Sequence, residues 1–371
     1  MTRYRHRAGE LLVHADDCAA LGPRLAAFGY HPAGGSGPLR RFTGTRPVPE
    51  VLATLGGRAG PNHLFGLDRI IWGDLRPRPT NLDLTPVPAA GHLRLHVGVV
   101  DTGIVLRDGE PHEFLGKRVR YDPEDTVRVV RGEDGNPVGS AGHGTFVAGV
   151  VLKQVGPDVG VRMKGVIDEQ SGDAEDLAVA NAIDDLREEG VTLINLSFSG
   201  ETFEDQPPKA IEAALGRLSP DTVVVASAGN RGLRQRVYPA GIKLAPTVAG
   251  QVDDKHALVL PVGSADATRL PVVADFSNFG PWIAAYADGV DVVGPYFHRG
   301  YPVQPPDELP KFNGYAVWSG TSFSAAILSG KIAALMGPGV TAREAAGKVL
   351  EAAGSITVFD VNGSSDVPYV S

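Results

Sequence analysis

The alternation of apolar and polar positions changes its character near residue 93. From there on, short runs of Val, Ile, Leu and Ala predict strands, and the amphipathic segments between them predict helices. The predicted strands cover 94–101, 161–167, 191–198, 221–230 and 257–266, and the predicted helices cover 144–154, 174–189 and 207–217. Almost wholly apolar strands separated by helices are typical of a parallel sheet that is covered on both faces. The predicted fold class is therefore α/β, a doubly wound and mostly parallel sheet with helices on both faces.

The residues before 93 show a different pattern. Strands are predicted over 9–16 and 40–45, helices over 17–28 and 49–57, and an apolar segment follows over 63–73. Clusters of Gly and Pro at 31–38 and 75–91 predict turns and extended chain. We predict a small N-terminal α+β domain over residues 1–75, a Pro-rich linker over 76–92 and a main domain over 93–371.

Composition and charge restrict the classes of function. The net charge is −8, which argues against nucleic acid as a partner, and no apolar run approaches the roughly 18 residues of a bilayer span. The chain has a single cysteine, Cys18, so it cannot form an intrachain disulfide. Its first residues lack the apolar stretch of a secretory signal. These features predict a cytoplasmic protein without membrane partners, and they leave its oligomeric state open.

Four polar residues stand where strands end or helices begin. Asp101 ends a strand, His143 lies between two glycines before a helix, Asn230 closes a strand, and Ser322 lies at the start of a helix. The carboxyl ends of strands in such sheets are where ligands and catalytic groups lie. Each residue alone is more often a turn former, a packing residue or a helix cap. Only the occurrence of all four together favours a catalytic role.

The four motifs occur in a recognisable order: DTG at 101–103, HGT at 143–145, SAGN at 227–230 and GTS at 320–322. This order resembles that of the subtilisin-like serine proteases, the subtilases. Further segments resemble the family as well, namely MKGVI at 163–167, YPA at 238–240 and FSNFGP at 276–281. The resemblance covers roughly residues 94–336.

The resemblance implies a serine endopeptidase that hydrolyses peptide bonds through an acyl-enzyme. Ser322 would be the nucleophile, His143 the general base and then acid, and Asp101 the partner of the histidine. Asn230 and the Ser322 amide would form the oxyanion hole. The implied substrate-binding residues are Leu196, Ser197, Phe198, Ser199, Ala226, Ser227, Ala228, Gly229, Ser171 and Gly172. The implied partner is a peptide or protein substrate.

Three departures from the family pattern bear on specificity. The family's proline after the nucleophile is absent from Ser324–Ile327, Phe323 replaces a methionine, and Ser199 stands where glycine is common. Residues 104–139 and 295–313 have the length of inserts. Solvated loops and walls of a cleft are both consistent with these inserts.

Several alternatives remain open at this point. The N-terminal domain resembles subtilase propeptides only loosely, so it is either propeptide-like or an independent adaptor; in the first case the stretch 75–91 would enter the cleft as a strand. A catalytically silent peptide-binding module is the alternative function, whereas a nucleotide-binding protein would need a phosphate loop that is absent. The chemistry requires no cofactor. Calcium is common in the family, but Asp253, Asp254, Asp266, Asp288 and Asp291 show no loop spacing that identifies a site.

Overall fold

A computed structural model describes residues 4–67, 76–127, 139–244, 255–268, 270–297, 312–360 and 363–371. The predictions at 68–73 and at Asp253 and Asp254 fall outside these ranges, as does Tyr301 of the second predicted insert. Within the described ranges, no helix is long and apolar enough to cross a bilayer.

The N-terminal part forms an antiparallel sheet with two helices. Its elements are β1 (His6–His14), α1 (Cys18–Ala27), β2 (His31–Ser36), β3 (Leu39–Thr43), α2 (Val48–Leu55) and β4 (Ala59–Gly66). Both helices place apolar side chains against the sheet, and the resulting core includes Leu11, Leu25, Phe42 and Val51. This agrees with the α+β pattern predicted for this part of the chain.

One predicted turn in this part is shorter than the Gly and Pro cluster that indicated it, because only residues 37 and 38 form the turn. Residues 31–36 of the Gly-rich cluster form β2, which pairs antiparallel with β3. The register shifts between Pro32 and Gly35, and Gly34 has φ +106°. Glycines that look like turn formers in the sequence here allow an irregular strand.

The main part is built on a large, mostly parallel sheet. Its strands follow the order β20-β21-β17-β15-β14-β13-β6-β11-β9, and β16 pairs with β15. The bounds are β6 (Leu95–Asp101), β9 (Val119–Arg120), β11 (Val159–Gly165), β13 (Leu193–Leu196), β14 (Val223–Ser227), β15 (Leu258–Asp266), β16 (Val272–Val273), β17 (Ala285–Asp288), β20 (Gly354–Asp360) and β21 (Gly363–Val370). The predicted central strands therefore exist, and the doubly wound α/β fold class is confirmed. The terminal hairpin β20–β21 was not predicted.

Helices cover both faces of this sheet. The helices are α3 (His143–Lys153), α4 (Asp176–Glu188), α5 (Lys209–Leu215), α6 (Thr321–Leu335) and α7 (Ala342–Glu351). One core contains Val97 and Val99 of β6 with the apolar side of α3 and α6, and the other contains Val100 with α4 and α5. Residues alternate between the faces of a strand, so β6 contributes to both cores.

Shorter strands lie outside the large sheet. They are β5 (Arg78–Pro79), β7 (Ile104–Arg107), β8 (Glu110–Pro111), β10 (Thr126–Val127), β12 (Asp173–Glu175), β18 (Val292–Pro295) and β19 (Tyr315–Trp318). The insert at 104–139 thus has strands of its own over 104–127. In the second insert, Tyr296, Phe297 and Phe312 are buried in the core against α3, so these three are neither solvated nor walls of a cleft.

The N-terminal and main parts share a sheet. β12 of the main part pairs antiparallel with β4, which gives the N-terminal sheet the order β12-β4-β1-β3-β2. The Pro-rich stretch lies elsewhere, because β5 pairs antiparallel with β19. The strand that joins the two parts is therefore β4 and not the stretch 75–91. The domain division at 75 and 92 stays a prediction.

Candidate active site

Asp101 is the last residue of β6 and is fully buried. Its carbonyl oxygen accepts hydrogen bonds from the amides of Val166 and Ile167, at 2.8 and 3.1 Å. Its Oδ1 accepts the Thr102 amide at 2.7 Å. The backbone of neighbouring segments therefore holds the carboxylate in one orientation at the carboxyl end of its strand.

His143 is the first residue of α3, and its Nδ1 lies 2.8 and 2.9 Å from the two carboxylate oxygens of Asp101. The Gly144 amide donates to Thr102 Oγ1 at 2.9 Å, which ties the start of the helix to the DTG turn. A Cβ at Gly144 would lie 2.4 Å from the Gly103 carbonyl oxygen, so this close approach requires glycine. An Nδ1–H that donates to the carboxylate leaves Nε2 as the proton acceptor of the ring.

Aromatic rings enclose the imidazole. Trp318 lies at 5.3 Å and nearly perpendicular to the His143 ring, and Phe323 lies at 5.6 Å. Trp318 and Phe323 are 5.2 Å apart, and both contact Phe146, one turn further along α3. These contacts restrict rotation of the histidine and keep water from the Asp101 side of the ring.

Ser322 is the second residue of α6, behind the extended Gly320. Its hydroxyl donates to the Ser197 carbonyl oxygen at 3.0 Å. In the part of the chain that the structure describes, no hydrogen bond joins Ser322 to His143. The Ser322 amide lies in the first turn of the helix, where backbone N–H groups have no intrahelical acceptor and the helix dipole favours negative charge.

Asn230 lies beside this helix start. Its Oδ1 accepts hydrogen bonds from the amide and the hydroxyl of Thr321, at 2.9 and 2.8 Å. The Thr321 hydroxyl oxygen accepts the Gly229 amide at 3.1 Å. Because Oδ1 is fixed, the donor end of the amide is fixed too, and Nδ2 lies 3.6 Å from the ideal Cβ position of Gly320.

Thr102 and Thr321 were not predicted as site residues. Both directly adjoin a predicted residue, in DTG and GTS, and this adjacency is the only sequence signal of their roles.

Two predicted substrate-binding residues lie on opposite sides of the end of β4. Ser199 exchanges two backbone hydrogen bonds with Gly66, each of 3.0 Å, and the Gly172 carbonyl accepts the Leu67 amide at 3.3 Å. The ring of Phe198 lies 6.3 Å from that of Phe65. The N-terminal part therefore places its own strand in the channel that was predicted for an extended substrate.

The other predicted substrate-binding residues lie at strand ends or in a turn. Leu196 ends β13, and Ala226 to Gly229 form the buried end of β14 and the start of the loop to Asn230. The Ser227 hydroxyl donates to the Phe198 carbonyl at 3.3 Å, which joins these two segments. The Ser171 amide donates to Asp168 Oδ1 at 2.7 Å. Their roles toward a substrate stay predictions.

A buried ionic cluster lies next to the Asp101 strand. Arg162 of β11 donates to Asp125 at 3.3 Å, to Glu189 at 2.8 Å and also to Asp122. The hydrogen bonds from Arg162 lower the pKa of the Asp122 carboxyl and that of Glu189. Asp125 Oδ1 in turn accepts the Gly165 amide at 2.8 Å, and Gly165 pairs with Asp101. Each of these three carboxylates is therefore paired with the Arg162 guanidinium.

The aspartates considered for calcium have protein partners where the structure describes them. Asp266 accepts from Thr268, Asp288 accepts from the Tyr369 hydroxyl, and Asp291 pairs with Arg78. The described ranges contain no group of three or more His, Cys, Asp or Glu side chains arranged to hold a metal ion.

Comparison with known proteins places this geometry in context. The model of the Subtilase family matches residues 94–364. The thermophilic serine proteinase of Bacillus sp. (strain AK1) is 27% identical over 298 residues, 76% of this chain and 63% of that protein. Mycosin-5 of Mycobacterium tuberculosis (strain ATCC 25618 / H37Rv) is 31% identical over 178 residues, 43% of this chain and 29% of that protein. The chain thus spans less than two thirds of the length of these relatives.

Solved structures show the same fold. Fervidolysin from Fervidobacterium pennivorans, a keratinolytic enzyme related to subtilisin, superposes with a TM-score of 0.62 at 18% identity, over 94% of this chain and 58% of that one. A cold-adapted subtilisin-like serine proteinase gives 0.51 at 21% identity, over 82% and 97%. The family match covers the strands and helices that carry Asp101, His143, Asn230 and Ser322, and on that match the chain belongs to the subtilase family.

Proposed function

We propose that the protein is a serine endopeptidase in which Ser322, His143 and Asp101 form the catalytic triad. The observation that carries this proposal is the pairing of His143 Nδ1 with the Asp101 carboxylate at 2.8 Å, at the sheet edge where Ser322 opens α6. A buried carboxylate that orients an imidazole beside a helix-start serine is the arrangement of a nucleophile with its general base.

The proposed reaction has two halves. Ser322 Oγ turns from the Ser197 carbonyl towards Nε2 of His143, gives it a proton and attacks the carbonyl carbon of the peptide bond. The oxyanion that forms accepts hydrogen bonds from Asn230 Nδ2 and the Ser322 amide. The carbon–nitrogen bond then breaks as His143 returns the proton to the leaving amine. Water then attacks the acyl carbon as it loses a proton to His143, and the ester bond to Ser322 Oγ breaks as His143 returns that proton to Ser322.

The position of the Ser322 hydroxyl is compatible with these steps. The Ser322 hydroxyl is held by one neutral hydrogen bond of 3.0 Å, and rotation about a single side-chain bond redirects it. Catalytic hydrogen bonds often align only when substrate is bound.

The proposed substrate is an extended peptide segment. β4 is an internal segment of the chain, yet it forms antiparallel backbone hydrogen bonds with Ser199. The channel therefore accepts a strand without a free terminus, which supports endopeptidase rather than exopeptidase action. The triad chemistry uses no cofactor, and cytoplasmic placement stays a prediction from the sequence.

Covalent labelling tests the proposal. A fluorophosphonate reagent should label the full chain on Ser322, and Ser322→Ala should abolish both labelling and peptide hydrolysis. Ser329→Ala is the matched control, because Ser329 is a buried serine of the same helix whose hydroxyl donates to the Ala325 carbonyl at 2.8 Å. Labelling that persists in Ser322→Ala, or a folded wild-type chain that is not labelled at all, would overturn the proposal in favour of a silent peptide-binding module.

A further inference from the structure

We propose that Asn278, in the FSNFG segment, is a positioning residue for the oxyanion donor Asn230. The inference rests on the proposed function and adds to it a residue that touches neither substrate nor triad. Asn278 is fully buried and lies between the end of β16 and β17.

Four hydrogen bonds join Asn278 to the loop around Asn230. Its Nδ2 donates to the Ala228 carbonyl at 2.8 Å, and its backbone amide donates to the Gly229 carbonyl at 2.9 Å. Its Oδ1 accepts the amides of Arg231 at 3.2 Å and Leu233 at 3.0 Å. The contacts lie on both sides of Asn230 in the chain, so they fix the backbone from which its side chain extends.

The segment that carries Asn278 is itself anchored to the large sheet. The Ser277 hydroxyl accepts the Ser264 amide of β15 at 2.9 Å and donates to the Asn278 carbonyl at 2.9 Å. The Gly232 amide donates to the Phe276 carbonyl at 2.7 Å, and the Phe279 amide donates to the Leu233 carbonyl at 3.1 Å. The loop around Asn230 is therefore tied to β15, a rigid strand, through residues 276–279.

Only an amide side chain meets the demands of this position. The same side chain must donate to one carbonyl and accept from two amides. An ionised carboxylate cannot donate, and a Ser or Thr hydroxyl has its donor and acceptors on one atom, whereas the amide places them on two separate atoms. A buried backbone group that loses its partner is costly, so the loop would move to recover its hydrogen bonds.

Two residues position Asn230 for catalysis, each through a different part of it. Thr321 holds the amide tip of Asn230 through Oδ1, and Asn278 holds its backbone. Transition-state stabilisation by an oxyanion donor depends on placement to a fraction of an ångström. Loss of Asn278 should therefore lower the rate of the covalent step and leave the affinity for substrate nearly unchanged.

The test uses full-length variants Asn278→Ala and Asn278→Asp, with Asn230→Ala and the double variant Asn230→Ala/Asn278→Ala. Asn278→Asp keeps the size and both acceptor contacts but cannot donate to the Ala228 carbonyl. The primary measurement is fluorophosphonate labelling of Ser322, separated into the reagent's binding constant and its rate of inactivation. A small reagent does not require β4 to leave the channel.

Arg118→Met is the matched control for a buried side chain that holds a backbone loop. Arg118 is fully buried and donates to the carbonyls of Val159 at 3.1 Å and Gly156 at 2.7 Å, at the opposite end of β11 from the catalytic edge. Like Asn278→Ala, it should lower stability in urea denaturation. Unlike Asn278→Ala, it should leave the labelling rate of the folded protein unchanged.

We expect the inactivation rate to fall about 10- to 100-fold in Asn278→Ala with little change in the binding constant. If Asn278 acts through Asn230, the double variant should be no slower than Asn230→Ala, within about twofold. Multiplicative losses in the double variant, or an unchanged rate in both folded Asn278 variants, would overturn the inference. Failure of Ser322→Ala to abolish labelling would instead overturn the proposed function, so the two failures are distinguishable.

Discussion

At the residue scale, the amide of Asn230 shows how neighbouring side chains assign its chemistry. Thr321 occupies Oδ1 through two hydrogen bonds, so the amide presents its donor end next to Gly320. Asn230→Ala should lower kcat about 10²- to 10³-fold with little change in KM, a size taken from the equivalent loss in subtilisin, a relative in the same family. Steady-state kinetics on a short fluorogenic peptide check this. An unchanged kcat would reduce Asn230 to a turn residue.

The sequence indicated which residues belong to this site, but it did not indicate which atoms they contact. Asp101, His143, Asn230 and Ser322 stand in motifs whose order is informative, and the structure brings the first two into direct contact. The bond from the Ser322 hydroxyl to Ser197 depends on a side-chain rotamer, which sequence patterns do not specify. The role of Asn278 depends on loop-to-loop contacts across about 50 residues of chain, which leave no periodic signal.

At the scale of elements, helix α3, which carries His143, packs against the insert that follows β18. Gly142 precedes His143 with φ −94° and ψ 1°, a conformation open to alanine, yet an added Cβ would lie 2.2 Å from Cε2 of the buried Tyr296. The Tyr296 ring therefore excludes any side chain at position 142 by steric overlap, and not through the backbone conformation.

Gly142→Ala should displace the start of α3 and lower kcat about 10- to 100-fold. Tyr296→Leu, combined with it, should restore part of the loss by removing the ring. Gly347→Ala is the control, because its Cβ meets nothing within 4 Å on helix α7, and it should keep full activity. Steady-state measurement of kcat for all variants tests this. A wild-type kcat in folded Gly142→Ala would show that the contact with Tyr296 does not set the position of α3.

The ionic cluster between β11 and its neighbours makes a separate prediction about pH. Arg162 is buried, and its hydrogen bonds lower the pKa of Asp122 and of Glu189 from their usual 3.8 and 4.5. A lowered folded pKa contributes stability that is present above the usual value and is lost as the pH falls through the folded value.

Arg162→Met should lower the free energy of unfolding at pH 7 by about 3 kcal/mol, towards the low end for a broken buried pair, since Asp122 and Glu189 are partly exposed. The deficit should shrink below about pH 4, where the carboxylates become protonated. Urea denaturation of variant and wild type at pH 7 and pH 3 measures both effects. A deficit equal at the two pH values would mean that packing, and not charge, sets the contribution of Arg162.

Strand positions in the main part could be predicted from continuous apolar runs, because its parallel strands are buried on both faces. Helix positions followed from the amphipathic segments between these runs. The predicted helix at 144–154 and strand at 257–266 differ from α3 and β15 by one residue at their starts. The terminal hairpin β20–β21 was missed although Ile356 and Val358 are buried and alternate with exposed residues, because the apolar Phe359 lies on the exposed face and obscures the alternation in the sequence. The role of β4 as a partner of β12 depends on tertiary contact, which no local pattern contains.

At the scale of the whole molecule, the N-terminal part occupies the channel on which the proposed function depends. The end of β4, at Gly66, lies between β12 and Ser199, and Phe65 is buried in the core shared with α4 and α5. Ion pairs reinforce this placement, since Arg5 and Arg7 near the start of the chain pair with Asp173 and Glu175 of β12. In the proposed function, an extended substrate would use the backbone groups that β4 already occupies, so we expect the N-terminal part to restrain activity.

Charge reversal tests this restraint in the full chain. Arg7→Glu and Glu175→Arg should each place like charges together and raise the rate of peptide hydrolysis about three- to tenfold, because about 1 kcal/mol of docking free energy is lost. The double variant restores an opposite-charge pair and should return towards the wild-type rate. All differences should shrink at high salt, which screens exposed pairs.

Arg58→Glu is the control for the charge change itself. Arg58 pairs with Asp17 inside the N-terminal part, at 3.7 Å, and not with β12. Arg58→Glu should leave the hydrolysis rate at the wild-type value. It changes the net charge by the same amount as Arg7→Glu but leaves the contact between the two parts intact. If Arg7→Glu and Arg58→Glu behave alike, or if the double variant stays as fast as the single ones, the ion pairs do not control access to the channel. The N-terminal part would then act as an adaptor whose strand lies in the channel without limiting turnover.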